Sequence, residues 1–160
     1  MSVQGNDQAA GREIEQLFAN FTTAVEKKDT TWLETNLADD FAVYIAPTGA
    51  CLTRLEYITQ VKSIAAIEIE TSSIDISLLE RYATVQLAAT VRQDLIDTDD
   101  LDEAGRAVRA KSRVTDMKKM LTTRVAHYYT GGCRREDDGW RIVLHAYLGP
   151  LDPATGPLDR

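Results

Sequence analysis

Only two histidines, His127 and His145, occur in the chain, so their placement decides which proton chemistry is open to it. An imidazole with an unperturbed pKa of about 6.5 suits general acid–base work near neutral pH. Both lie in apolar-rich runs, 120–135 and 139–148, separated by the turn residues Glu136, Asp137, Asp138 and Gly139, the composition of a β-hairpin. A short turn that pairs Arg135 with Trp140 sets the pairs beyond it: His127 opposite Leu148, Tyr129 opposite Ala146, Thr130 opposite His145. Facing residues share one side of a sheet. His127 and Tyr129 therefore fall with Trp140, Ile142, Leu144 and Ala146, while Arg141, His145 and Tyr147 fall on the other side. The first side is largely apolar and is expected to face inward. Gly131 and Gly132 mark where one inserted residue would reverse this parity.

With His127 inside, the chemistry would be proton transfer at His127 and hydrogen bonding from Tyr129 to a developing oxyanion. Tyr44 would complete the polar set, and Phe18, Phe21, Trp140, Ile142 and Leu144 would supply the apolar substrate wall. The same histidine and tyrosines equally suit a packed wall with satisfied hydrogen bonds. Asp39 and Asp40 suit a solvated turn ending a helix. Two distant histidines with no Cys or Asp cluster at ligand spacing argue against a zinc or iron site. Neither a glycine-rich phosphate loop nor a nucleophile elbow is present in the sequence, so no cofactor is expected.

These residues need elements to hold them. Ile14, Leu17, Phe18, Phe21 and Val25 recur every three or four residues, one apolar stripe of a helix over about 8–28. Thr31 with Glu34 reads as a capping box for a short second helix carrying Trp32, Leu33 and Leu37. Phe41, Val43 and Ile45 alternate with Ala42, Tyr44 and Ala46 as a strand, closed by the turn residues Pro47, Thr48 and Gly49. Thr53 and Glu56 cap a third helix. Beyond it, apolar parity flips near Ser72 and Ser73, which predicts a β-bulge in a long strand. A further strand over 82–96 places Val85, Leu87, Ala89 and Val91 on one face. Segment 97–119 opens acidic and closes basic; it is too polar for core and reads as a solvated loop, a short salt-bridged helix, or a flap over a cavity. Gly-Pro-Leu-Asp occurs twice in 149–160, which reads as an extended proline-rich tail.

Helices first and a long antiparallel sheet afterwards is an α+β order. The 160 residues fit one domain, taken as 1–148 with the charged insert. Eighteen Lys and Arg against 25 Asp and Glu give a net charge of −7, a poor match to nucleic acid or to an anionic membrane surface. No apolar run spans a bilayer, the N-terminal residues are polar, and Cys51 and Cys133 are the only cysteines. Reduced thiols and a cytoplasmic location are expected.

Particular residues add a resemblance. Residues 24–29 followed by Trp32, then Leu37-Ala38-Asp39-Asp40-Phe41, then Pro47-Thr48-Gly49 leading into Thr53-Arg54-Leu55-Glu56, resemble the opening half of SnoaL-like domains of the nuclear transport factor 2-like superfamily. Arg134-Arg135-Glu136-Asp137-Asp138-Gly139-Trp140-Arg141-Ile142-Val143 is similar to that family's last hairpin. The resemblance implies a cone-shaped, cystatin-like α+β barrel, with three N-terminal helices packed on a strongly curved antiparallel sheet around a cavity. It also implies homodimers formed through the outer sheet face. Relatives include polyketide cyclases, ketosteroid isomerase, limonene epoxide hydrolase, scytalone dehydratase and non-catalytic members. The implied function is a pocket for an apolar, polyketide- or terpenoid-like molecule: either a cofactor-free isomerase, cyclase, dehydratase or hydrolase, or a binding or dimerisation module. The resemblance to limonene epoxide hydrolase, which uses carboxylates and an arginine to activate water, implies Asp40, Arg92 and Arg124 as residues of the right types for that chemistry. The ketosteroid isomerase mechanism does not carry over. Its carboxylate base would fall at Ala46 or Ile45, which accept no proton, and its tyrosine would fall near Phe21, which has no hydroxyl.

Overall fold

The computed structural model of the protein describes residues 2–118, 122–123 and 125–150. Helix α1 (Ser2–Lys27) buries the predicted stripe, with Ile14, Phe18, Phe21 and Val25 all enclosed. It ends where Lys28 turns left-handed (φ 55°) and Asp29 N–H reaches back to Ala24 O at 2.8 Å, a closure that satisfies the last carbonyls. The same Asp29 then starts α2 (Thr30–Asn36), its carboxylate accepting from Trp32 N–H. Asp29, not Thr31, is therefore the cap, because α2 begins earlier than the Thr31–Glu34 spacing implied.

Strand β1 (Leu37–Ile45) begins directly at the end of α2, so Asp39 and Asp40 are strand residues and not a helix-ending turn. Strand β2 (Ala50–Thr53) returns alongside it through a turn whose Gly49 has φ 74°, a conformation that favours glycine. Thr53 caps α3 (Arg54–Lys62) with the predicted box: Glu56 N–H donates to Thr53 Oγ1, and Thr53 N–H donates to Glu56. Two long strands follow, β3 (Ile64–Leu79) and β4 (Tyr82–Leu95). Their register slips between Thr71 and Ser73, at the predicted bulge. Ser72 is the extra residue, and its hydroxyl donates to Ala88 O at 3.1 Å.

A fourth helix, α4 (Glu103–Ser112), arises inside the charged insert, capped by Asp102, which accepts from Gly105 N–H at 2.7 Å. The insert also supplies core, contrary to its polar composition: Val108, Val114 and Met117 are all buried. Buried Arg109 pins it, donating to Ser63 O at 3.0 Å and to Ile96 O. Lys111 pairs with Glu56 at 2.8 Å. Polarity is spent on one side of α4 and on backbone carbonyls, which leaves its apolar residues free to pack.

The last hairpin is β5 (Val125–Glu136) with β6 (Gly139–Pro150). Met120 and Leu121, expected at the start of β5, lie outside the described residues, as do 151–160 of the expected tail. The six strands form one open sheet in the order β2-β1-β6-β5-β4-β3. All neighbours are antiparallel except β1 and β6, which run parallel, a pair the α+β reading did not foresee. Helix α1 packs along β3 and β6, and α3 packs on β1. The architecture is α+β, with helices on one side of a bent sheet. Among the described residues no helix is long and apolar enough to cross a membrane.

Candidate functional site

Between α1 and the sheet lies a cavity of about 140 Å³. Phe18 and Phe21 of α1 form one wall, Tyr57 and Gln60 of α3 another, and the inner faces of β3 to β6 the floor. Gly131 lets α1 approach: a Cβ there would sit 2.9 Å from the Phe18 ring, so any side chain would have to displace that ring. Val114 and Met117 of the insert also border the cavity, which puts the insert against the site.

The polar groups come from β5 and β6. His127 is only 2% exposed, and its Nδ1 lies 2.6 Å from the Tyr147 hydroxyl. Tyr129 stacks on His145, with ring centroids 5.2 Å apart and planes at 17°. Phe21 meets the His145 ring edge-on at 5.3 Å, and Tyr57 lies at 6.1 Å. His145 thus stands inside a cage of three aromatic rings. Among the described residues, its Nδ1 is enclosed without a hydrogen-bond partner, and so is Gln60 Oε1.

Burial governs the electrostatics. Desolvation disfavours imidazolium, so both His127 and His145 are pushed down to about 4. The same cause raises Tyr57, Tyr129 and Tyr147 above the usual phenol range, with the neighbouring tyrosines adding to the effect at Tyr129. At neutral pH all five groups are uncharged hydrogen-bonding partners.

Of the expected site residues, His127, Tyr129, Phe18 and Phe21 meet at this cavity. Tyr44 does not: it is 43% exposed on the opposite face of β1, because Val43 and Ile45 take the inward positions. Trp140 and Ile142 are buried in the core beside the cavity, not in its wall, and Leu144 faces out at 37% exposure. His145 and Tyr147, expected outside, are inside. The pairing Arg135–Trp140 holds as far as Cys133–Ile142, then slips by one so that Gly132 faces Leu144, and slips again between Tyr129 and Tyr128. Each extra residue reverses the parity of everything beyond it. Gly131 and Gly132 signalled the place. A second signal was the run from Val143 to Leu148, apolar at both parities.

Asp40 takes no part in the cavity. It faces solvent and receives two hydrogen bonds at 3.1 Å from Arg134, which hold its carboxyl below the usual range. Arg92 lies near Asp94 at 3.9 Å, and Arg124 is outside the described residues. Of the trio's described members, Asp40 is held by Arg134 and Arg92 lies beside Asp94. Among the described residues no three His, Cys, Asp or Glu side chains group as metal ligands.

No family model and no curated protein matches the sequence. Solved structures do. A nuclear transport factor 2-like protein from Cytophaga hutchinsonii superposes with a TM-score of 0.64 at 16% identity, over 84% of this chain and 93% of its own. One of unknown function from Pseudomonas putida gives 0.65 at 17% identity, over 95% and 94%. A candidate scytalone dehydratase from Novosphingobium aromaticivorans gives 0.67 at 13% identity, over 93% and 89%. With the helices on one face of an open, bent six-stranded sheet and a cavity between them, the chain has the nuclear transport factor 2-like fold.

Proposed function

We propose that the protein takes one small, neutral, mostly apolar molecule into the cavity between α1 and the sheet. The observation that carries this reading is the lining itself: no Lys, Arg, Asp or Glu among the described residues borders the cavity, and its polar groups are uncharged at neutral pH. An ionic ligand would be desolvated there without a counter-charge, which is costly. A volume of about 140 Å³ is close to that of an apolar protein cavity known to hold benzene, roughly 150 Å³. A single-ring molecule fits this better than a fused polyketide. Binding is tested by soaking or titrating single-ring compounds into the protein and into Ala89→Leu, which fills the floor. Uptake by the parent and not by the variant supports the reading; equal behaviour of the two refutes it.

A second reading, cofactor-free acid–base catalysis in the manner of an isomerase or dehydratase of the SnoaL-like kind, is favoured by the 2.6 Å contact between His127 and Tyr147 at the cavity. His127 unprotonated at neutral pH would accept a proton, and Tyr129, kept in its phenol form, would donate to an oxyanion. With its conjugate acid near 4, His127 is a weak base, suited to an already acidic C–H bond. His127→Ala separates the readings: a catalyst loses about 10² to 10⁴ in rate while retaining affinity, whereas a binding protein changes only in affinity.

The outer sheet face carries Tyr44, Tyr128, Leu144 and Leu148, all exposed, and on our reading this face receives a second copy of the chain. Light scattering should then give twice the chain mass for the parent and the monomer mass for Tyr128→Lys. The cysteines are unpaired, one exposed and one buried, which suits a reducing cytoplasm.

A further inference from the structure

We infer that the molecule held in the cavity carries a hydroxyl, as a single-ring phenol or cyclic alcohol does, and that Gln60 and His145 hold this hydroxyl between them. The inference rests on the reading of the cavity as a ligand site and narrows the class of ligand. Most buried polar atoms in proteins find a partner. Among the described residues Gln60 Oε1 and His145 Nδ1 find none, and both residues border the same cavity. Gln60 lies one helical turn beyond Tyr57 on α3, and the Tyr57 ring is 6.1 Å from that of His145. Residues three apart share a helix face, which puts Gln60 on the Tyr57 side of α3, the side that meets His145. His127, by contrast, already has Tyr147 at 2.6 Å.

The chemistry of the two groups selects the partner. A carboxamide oxygen only accepts, and a neutral imidazole offers one donor and one acceptor nitrogen. A hydroxyl both donates and accepts, so one O–H can donate to Gln60 Oε1 while accepting from His145 Nδ1–H. A ketone cannot satisfy the amide oxygen. A carboxylate or ammonium would meet no opposite charge in the wall. The remaining surface, Phe21, Tyr57 and Tyr129 around His145, presents aromatic faces and edges on which a six-membered ring can stack.

The test compares phenol with toluene, which is nearly the same size and lacks the hydroxyl. Both are titrated calorimetrically into the parent protein, Gln60→Leu and His145→Phe. Losing one hydrogen bond of ordinary strength should weaken phenol about five- to tenfold and leave toluene unchanged or tighter. The ring ¹⁵N resonance of His145 Nδ1 in the parent protein should move with phenol and not with toluene, a readout independent of whether either variant folds. An unchanged ratio of phenol to toluene affinity in both variants, or a His145 resonance that ignores phenol, overturns the hydroxyl assignment while leaving the cavity reading intact. Failure of both compounds to bind the parent overturns the two readings together.

Discussion

Lowering the pH from 7 to 5 should strip this protein of much of its stability through two residues alone. Burial holds the imidazoles of His127 and His145 near 4 in the folded chain, whereas in the unfolded chain they titrate near the ordinary value of about 6.5. Between these values the unfolded state binds protons that the folded state refuses, so stability rises with pH across the window and falls as acid is added. Integrating from pH 7 to pH 5 gives about 2 kcal/mol for each histidine, or about 4 kcal/mol together, against a total of about 5–15 kcal/mol for a domain of this kind. The window is specific to the histidines. Asp40 and Glu56, the carboxyls held low by Arg134 and Lys111, lose their contribution only as pH falls below the ordinary carboxylate range. Urea unfolding at half-unit steps from pH 5 to 7 measures the slope. His145→Phe, which keeps an aromatic ring beside Tyr129, should halve it, and a double variant with His127→Gln should flatten it. A parent protein equally stable at pH 5 and pH 7, or a double variant that keeps the parent slope, would refute the claim that both rings are buried uncharged.

Three further outcomes follow from the packing. Gly131→Ala places a Cβ 2.9 Å from the Phe18 ring and should cost about 1–3 kcal/mol by overpacking; in a Phe18→Leu background the same change should cost clearly less, as a double-mutant cycle in urea will show. Arg109→Ala removes the donor to Ile96 O and leaves that carbonyl unsatisfied, at about 1–3 kcal/mol; hydrogen exchange should then accelerate in α4 more than in β5. Asp40→Asn breaks a solvent-facing pair, and exposed pairs contribute little; its urea midpoint should stay within experimental scatter, and a large shift would mean that the pair is coupled to the fold.

The contrast between what the sequence revealed and what it hid has a physical cause in each case. The α1 stripe, the Thr53–Glu56 box and the bulge at Ser72 were readable because each depends on residues close in sequence. A helix face repeats every three or four positions, and a bulge shows as a parity flip within one strand. The parallel pairing of β1 with β6 depends on chain segments about a hundred residues apart and leaves no local mark. The insert misled for a different reason. Its charges are real, but Arg109 spends its guanidinium on backbone carbonyls and Lys111 on the capping carboxylate of α3. Average polarity says nothing about such partners.

The site shows most sharply how one register decides chemistry. Counting from the turn placed His127 and Tyr129 inside correctly, because β5 is uninterrupted on its own side. It placed His145 and Tyr147 outside, because one single-residue slip in β6, at Val143, lies between them and the turn. Their arrival changes the character of the cavity. With one histidine and one tyrosine it would hold a lone acid–base pair; with two of each it becomes a ring of stacked and hydrogen-bonded neutral groups, His127 with Tyr147 and His145 with Tyr129. Satisfying His127 through Tyr147 removes the need for a ligand there. Among the described residues the unpaired nitrogen is left on His145, the histidine that strict alternation would have sent to the surface. A bulge that costs a ladder hydrogen bond has thereby turned an outer-face residue into the group best placed to meet whatever enters.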